Sequence, residues 1–130
     1  MRKSFGAKPI TYPQPVFIIA SYDENGNPDA MNAAWGGIIG DKEISMCLSA
    51  GHKTVKNILS RKAFTVSMAD AAHVAECDYV GIVSANKEPH KLEKAGFHTT
   101  KAENVDAPVI EELPMTVECR LVSYDQESMI

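Results

Sequence analysis

Residues 31–37 read Met31-Asn32-Ala33-Ala34-Trp35-Gly36-Gly37, and residues 49–57 read Ser49-Ala50-Gly51-His52-Lys53-Thr54-Val55-Lys56-Asn57. The first stretch is small, rich in glycine and holds the single tryptophan of the chain. The second ends a strand-like run, turns at a glycine and enters a helix with Lys and Thr in its first turn. Because a helix N-terminus offers free backbone N–H groups and a partial positive charge, this turn suits a phosphate group. Together the two stretches predict a site for a flat, phosphorylated cofactor.

Around these stretches, the alternation of polar and apolar residues predicts a chain that is mostly β-strand. Residues 16–22 have the pattern of a buried strand, and the turn that follows contains Asn25-Gly26, a pair that supplies the positive φ angles of a tight hairpin. Further strands are predicted over residues 30–39, 43–49, 63–68 and 115–122, and Ser128-Met129-Ile130 resembles the start of another.

Short helices are predicted between these strands. Val55, Ile58 and Leu59 share one face of the first helix. Asp70 is expected to cap a second helix that runs through residue 79, and residues 81–89 are expected to form a loop. A third helix over residues 90–95 is expected to end at Gly96, where glycine favours a helix end. The predicted fold class is mainly β (α+β), a closed barrel with short helical insertions, because closure removes exposed strand edges.

Composition and charge limit the range of possible functions. A chain of 130 residues, 45% of them hydrophobic, predicts one domain over residues 1–130 with a substantial core. The formal net charge of −4, with the 13 Lys and Arg residues spread along the chain, argues against nucleic acid and membrane surfaces as partners. No apolar run is long enough for a signal peptide or a membrane span, so we expect a cytoplasmic protein.

Cysteine and histidine spacing predicts no metal site. The three cysteines, Cys47, Cys77 and Cys119, are an odd number without a metal-binding spacing, so we interpret them as buried, reduced thiols. The four histidines lack a metal-ligand pattern as well. No nucleophile elbow, Walker loop or dinucleotide-binding glycine motif occurs in the sequence.

Motifs along nearly the whole chain resemble the flavin reductase-like, FMN-binding split-barrel family, most closely its flavoredoxin branch. The stretches that carry the resemblance are Lys3-Ser4-Phe5-Gly6-Ala7-Lys8-Pro9, Tyr12-Pro13-Gln14-Pro15-Val16, Asn32-Ala33-Ala34-Trp35-Gly36-Gly37, Asp78-Tyr79-Val80-Gly81-Ile82-Val83-Ser84, Lys91-Leu92-Glu93-Lys94-Ala95-Gly96 and Asp106-Ala107-Pro108-Val109-Ile110-Glu111-Glu112. The resemblance implies an FMN-binding split β-barrel. Members of the family usually continue for several more strands, so we expect the C-terminal strands of this domain to be shortened or missing.

The resemblance also implies which residues bind the FMN. Its phosphate is expected at Ser49, His52, Lys53, Thr54 and Asn57. The alternative for this segment is a solvated helix start in which Thr54 is only a capping residue.

The isoalloxazine ring is expected beside the small-residue stretch Asn32, Ala33, Ala34 and Trp35. The alternative is a tightly packed strand with Trp35 as a core anchor, and both can hold together.

Two further residues are implied in flavin binding. Ser67 stands where the flavoredoxin-like pattern commonly has asparagine, and it is equally well a hydrogen-bonded strand serine. Lys91 is implied to lie close to the flavin, where a cation would stabilise the reduced anion. Without the resemblance, Lys91 reads as a solvent-exposed helix residue.

Three functions remain open at this stage. The first is a flavin reductase that passes a hydride from NADH or NADPH to the flavin, with no side chain as acid or base and therefore no catalytic residue. The second is a flavoredoxin-type carrier that exchanges electrons with an acceptor protein. The third is a binding module without a cofactor. A homodimer with the flavin near the interface is expected as well, partly because the proline-rich arm at residues 8–15 has little core of its own.

Overall fold

The computed structural model describes residues 1–126, which form strands with short helices between them. The strands are β1 (Phe17–Tyr22), β2 (Pro28–Ala33), β3 (Gly36–Ile38), β4 (Ile44–Met46), β5 (Ala63–Met68), β6 (Thr99–Lys101), β7 (Pro108–Ile110) and β8 (Thr116–Arg120). The helices are α1 (Lys53–Arg61), α2 (Val74–Ile82), which follows a 3₁₀ turn at Ala71–His73, and α3 (Lys91–Ala95). The predicted mixture of many strands and few short helices is therefore confirmed.

The central sheet has four antiparallel strands in the order β2-β1-β5-β8. Strand β1 is buried on both faces, and side chains along a strand alternate between faces. Ile18 and Ala20 pack with α2 and α3 on one side, whereas Phe17 and Ile19 pack with Ile58 of α1 on the other. The sheet therefore separates two hydrophobic cores.

The strand predicted over residues 30–39 is interrupted. β2 ends at Ala33, and a separate strand, β3, begins at Gly36 and pairs with β4. The close approach of β4 explains why glycine is needed here, because a Cβ atom on Gly36 would lie 2.7 Å from the backbone oxygen of Ser45. The strand predicted over residues 43–49 is correspondingly reduced to Ile44–Met46.

The structure adds a two-stranded sheet that the sequence pattern did not reveal. Strands β6 and β7 have three residues each, too few to show an alternating pattern. Over residues 1–126, the hydrogen-bonded strands form three sheets rather than one continuous closed sheet. The strand start predicted at residues 128–130 lies outside the described residues.

The helix ends agree well with the sequence signals. Gly96 follows α3 with a left-handed φ of 86°, as predicted. Asp70 accepts a hydrogen bond from the His73 backbone at 3.0 Å, so the predicted cap is confirmed, although it caps the 3₁₀ turn that leads into α2. α2 continues to Ile82, beyond the predicted end at residue 79, so the expected loop begins later.

Two local predictions were wrong, those of the β1–β2 turn and of the cysteines, and one alternative is excluded. In the β1–β2 turn Gly26 has a positive φ of 82° but Asn25 does not, because the Asp23 carboxylate accepts backbone bonds from Asn25 and Asn27 at 2.8 and 2.9 Å and closes a longer turn. Trp35 is 57% exposed rather than a core anchor. Of the three cysteines only Cys77 is buried; Cys119 is partly buried and Cys47 exposed, and all three are free thiols.

No helix within residues 1–126 is long and apolar enough to cross a membrane.

Candidate flavin-phosphate site

A cavity of about 170 Å³ lies where the start of α1 approaches the end of α2. One wall is strand β2, which contributes Asp29 and Met31. A second wall is the start of α1, and a third is formed by residues 80–85 with Lys91. The structure thus brings four of the predicted site residues to one cavity: His52, Lys53, Thr54 and Lys91.

The start of α1 gives this cavity a positive wall. His52 occupies the N-cap position without forming a side-chain cap, and the first turn contains no acidic residue. The first N–H groups of a helix have no acceptor within the helix, and the helix dipole places a partial positive charge there. Lys53, the first helical residue, is half-buried and adds a full positive charge.

The Thr54 side chain is hydrogen-bonded to the buried carboxylate of Asp29. Its hydroxyl donates to Asp29 Oδ2 at 3.2 Å, and only 1% of Thr54 is exposed. A threonine hydroxyl has one hydrogen to donate, and here that hydrogen is directed to Asp29. Thr54 therefore acts on the cavity mainly by fixing the position of the first turn of α1.

Lys91 is buried, with 3% of its surface exposed. Its Nζ donates to the carbonyl oxygens of Val80 at 2.9 Å and Val83 at 2.8 Å, both at the C-terminal end of α2. Lys91 Nζ also lies 3.2 Å from Asp29 Oδ1 and forms an ion pair with it. Among residues 1–126, Asp29 Oδ1 accepts no hydrogen bond with good geometry. Two of the three N–H donors of the ammonium group are therefore used by carbonyl oxygens, and the carboxylate of Asp29 balances its charge.

Close packing between α2 and β2 fixes the third wall. Asn32 donates from its side chain to the Cys77 carbonyl at 3.1 Å. A Cβ atom on Gly81 would lie 1.8 Å from Asn32 Nδ2, so only glycine permits this approach. Asn32, predicted to lie beside the flavin ring, thus ties α2 to the sheet with its side chain.

The structure also has a second, larger concavity. It is an open trough of about 2150 Å³, with walls that include β4 and β8. Trp35 and Ser49, both predicted as flavin ligands, line this trough rather than the small cavity. The partly buried residues Met46, Leu48 and Leu121 give its floor an apolar character.

The remaining predicted site residues belong to the packed sheet and helix around the cavity and the trough. Asn57 is buried and donates to Ser21 Oγ at 3.1 Å. Ser67 is buried and shares a hydrogen bond of 2.8 Å with the Thr116 hydroxyl. Ala33 belongs to the core beneath the trough, and Ala34 is half-buried at the break between β2 and β3. The structure does not bring these residues to the small cavity.

The sequence reasoning missed Asp29 and the 80–85 wall. Asp29 follows the hairpin turn, where an acidic residue normally faces solvent, yet it is only 4% exposed. Its burial depends on Lys91, which is distant in sequence. No local signal marks Lys91 as the buried lysine, because α3 also contains the charged residues Glu93 and Lys94.

Comparisons with known proteins give this geometry a context. The family model described as flavin reductase like domain matches residues 10–128. The flavoredoxin of Desulfovibrio vulgaris (Miyazaki F) is 36% identical, with a TM-score of 0.91 over 97% of this chain and 70% of that chain. An FMN-binding domain of a flavin reductases-like enzyme from Shewanella baltica OS155 is 19% identical, with a TM-score of 0.79 over 85% of this chain and 59% of that one, a likeness of fold alone.

A curated relative, an uncharacterized protein from Aquifex aeolicus (strain VF5), is 25% identical over 122 residues, or 88% of this chain. The chain spans 62% of the length of that relative. The predicted family resemblance and the predicted fold class are both confirmed by these matches.

Proposed function

The chain belongs to the flavin reductase-like domain family, and from that premise we propose that it is a flavin oxidoreductase that binds FMN noncovalently. The observation that carries the proposal is the uncapped, positively charged start of α1 facing a cavity beside Lys53. A dianionic phosphate gains both from the helix dipole and from charge-assisted hydrogen bonds at such a position. The FMN-binding domain from Shewanella baltica, a likeness of fold, agrees with this cofactor.

The size of the cavity indicates which part of FMN it would take. Pockets for whole small molecules usually measure about 300–1,000 Å³, and this one is about 170 Å³. It therefore suits the phosphate end, with His52, Lys53 and the first N–H groups of α1 as ligands. We propose that the ring extends outside the cavity, and that residues 32–35 remain the candidates to contact it.

The chemistry of the proposed reaction belongs to the cofactor. Bound FMN would supply hydride and electron transfer, while the chain binds and orients it. We propose NADH or NADPH as the electron donor. The second candidate is an electron carrier that serves an acceptor protein, and the 36% identity to a flavoredoxin favours keeping it.

A visible spectrum followed by anaerobic reduction tests the proposal and separates the candidates. The protein mixed with FMN and passed through a desalting column should keep a yellow flavin spectrum. NADH or NADPH should then bleach it without oxygen if the protein is a reductase. Bleaching by dithionite but by neither nicotinamide would indicate the carrier. A colourless protein after desalting, with no FMN affinity in a titration, would leave only the cofactor-free module.

We also propose that the protein forms a homodimer with the flavin near the interface. Large apolar side chains of the N-terminal arm are exposed, including Phe5, Ile10 and Tyr12, as are Trp35 and Ile38 at the trough. A second copy laid over them would bury area that one chain exposes. Light scattering at several concentrations, with and without FMN, tests this. A stable monomer that binds FMN normally would contradict the shared-interface arrangement.

A further inference from the structure

The side chains behind the small cavity form one buried polar chain. It runs from the carbonyl oxygens at the end of α2 to Lys91 Nζ, then to the two carboxylate oxygens of Asp29, and ends at the Thr54 hydroxyl. Each step is between 2.8 and 3.2 Å long. All three side chains are at least nine-tenths buried. The chain thus connects the two walls that face each other across the cavity.

The charges and hydrogen bonds of these buried side chains are directed at one another and at backbone carbonyl oxygens. Lys91 donates hydrogen bonds to the carbonyl oxygens of Val80 and Val83, and the nearby carboxylate of Asp29 balances its charge. A lysine in that state cannot reach a flavin ring without breaking a buried ion pair, which is strongly unfavourable. Its effect on the site must pass through the groups that it holds.

We propose that Lys91 and Asp29 are positioning residues that set the spacing between the start of α1 and residues 80–85, and so shape the phosphate subsite. Asp29 holds α1 through Thr54, the second helical residue, while Lys91 holds the carbonyl end of α2. This inference rests on the proposed binding of FMN at the cavity. A positioning role differs from a role for Lys91 beside the flavin ring. In the positioning role, the spacing between α1 and residues 80–85 affects only the binding of the phosphate end of the cofactor.

The first test compares FMN with riboflavin, which lacks the phosphate, for the unaltered chain, Lys91→Met and Thr54→Val. Each variant should weaken FMN by about tenfold or more, which corresponds to the phosphate losing one charge-assisted hydrogen bond when the start of α1 shifts. Each variant should leave riboflavin affinity unchanged. Thr54→Ser keeps the hydroxyl and should restore the FMN preference. Equal losses of affinity for FMN and riboflavin in every variant would mean that the buried polar side chains only stabilise the fold, and would overturn the inference.

The second test asks whether the residues act through one another. The double variant Thr54→Val with Lys91→Met should bind FMN about as well as the weaker single variant, because residues in one network are not additive. Lys91→Met should also weaken oxidised and reduced FMN by the same factor, leaving the midpoint potential of the flavin unchanged. Fully additive losses, or a larger loss for reduced FMN, would overturn the inference.

The outcomes separate this inference from the proposed function. If the unaltered chain does not bind FMN, the proposed function fails, and the positioning role fails with it. If the unaltered chain prefers FMN over riboflavin and the variants keep that preference, only the positioning role fails. If Lys91→Met does not fold, the matched variants Thr54→Val and Thr54→Ser still test the positioning role, because both retain the ion pair between Lys91 and Asp29.

Discussion

Replacing Lys53 by alanine removes the lysine at the first position of α1 and leaves the helix start in place. Lys53 is half-buried and lines the small cavity, and the first turn of α1 contains no acidic residue. A hydrogen bond to a charged group is worth about 1.5–3 kcal/mol, so FMN should bind about 10–150 times more weakly. The N–H groups of the helix remain, so binding should be reduced rather than abolished.

A matched control lies on the same helix. Lys56 is exposed and does not line the cavity, so Lys56→Ala removes the same charge from the protein without touching the site. Titration of flavin fluorescence with FMN and with riboflavin gives both affinities for each variant. The loss in Lys53→Ala should appear for FMN only and should shrink at high salt, because screening weakens charge interactions. Equal effects of the two substitutions, or an equal loss of riboflavin affinity, would refute the reasoning.

Three further predictions concern stability and thiol reactivity. Gly81→Ala should lower the free energy of unfolding in urea by about 1–3 kcal/mol, because the new methyl group overlaps Asn32; Asn32→Ala in the same chain should recover part of the loss. For Asp23, burial raises the pKa, but backbone N–H groups of the turn outweigh it and lower the pKa below 3.8. Its stabilisation is therefore present above that pH and lost on acidification, so Asp23→Ala should flatten acid unfolding curves. Cys47 should react with a thiol reagent well before Cys77, whose thiol is buried and has a raised pKa; equal rates would contradict the fold.

The sequence predicted those elements of the fold that depend on interactions between residues close together in the chain. The alternating residues of β5 and the glycine after α3 gave the right elements because strand periodicity and a left-handed helix end act within a few residues. The break between β2 and β3 could not be predicted in the same way. It depends on the approach of β4 to Gly36, a contact that exists only after the strands pair.

In the candidate site, too, features set by neighbouring residues could be predicted, and features set by distant contacts could not. The positive start of α1 could be predicted from its glycine turn and Lys53, since both lie in one short segment. The role of Lys91 could not, because exposure and burial of a helical lysine are decided by its distant partner. Asp29 supplies that partner, and the Lys91 ammonium group also donates to the carbonyl oxygen of Val80 near the end of α2.

The most direct measurement of the central claim is a map of backbone amide shifts in an isotope-labelled sample titrated with FMN and with riboflavin. FMN should move the amide signals of Lys53 and Thr54 together with those of residues 80–85. Riboflavin, lacking the phosphate, should leave the α1 amides nearly unmoved. If FMN instead shifts signals only around the trough, near Trp35, while Lys53 and Thr54 stay in place, the phosphate is not bound at the start of α1 and the account is wrong.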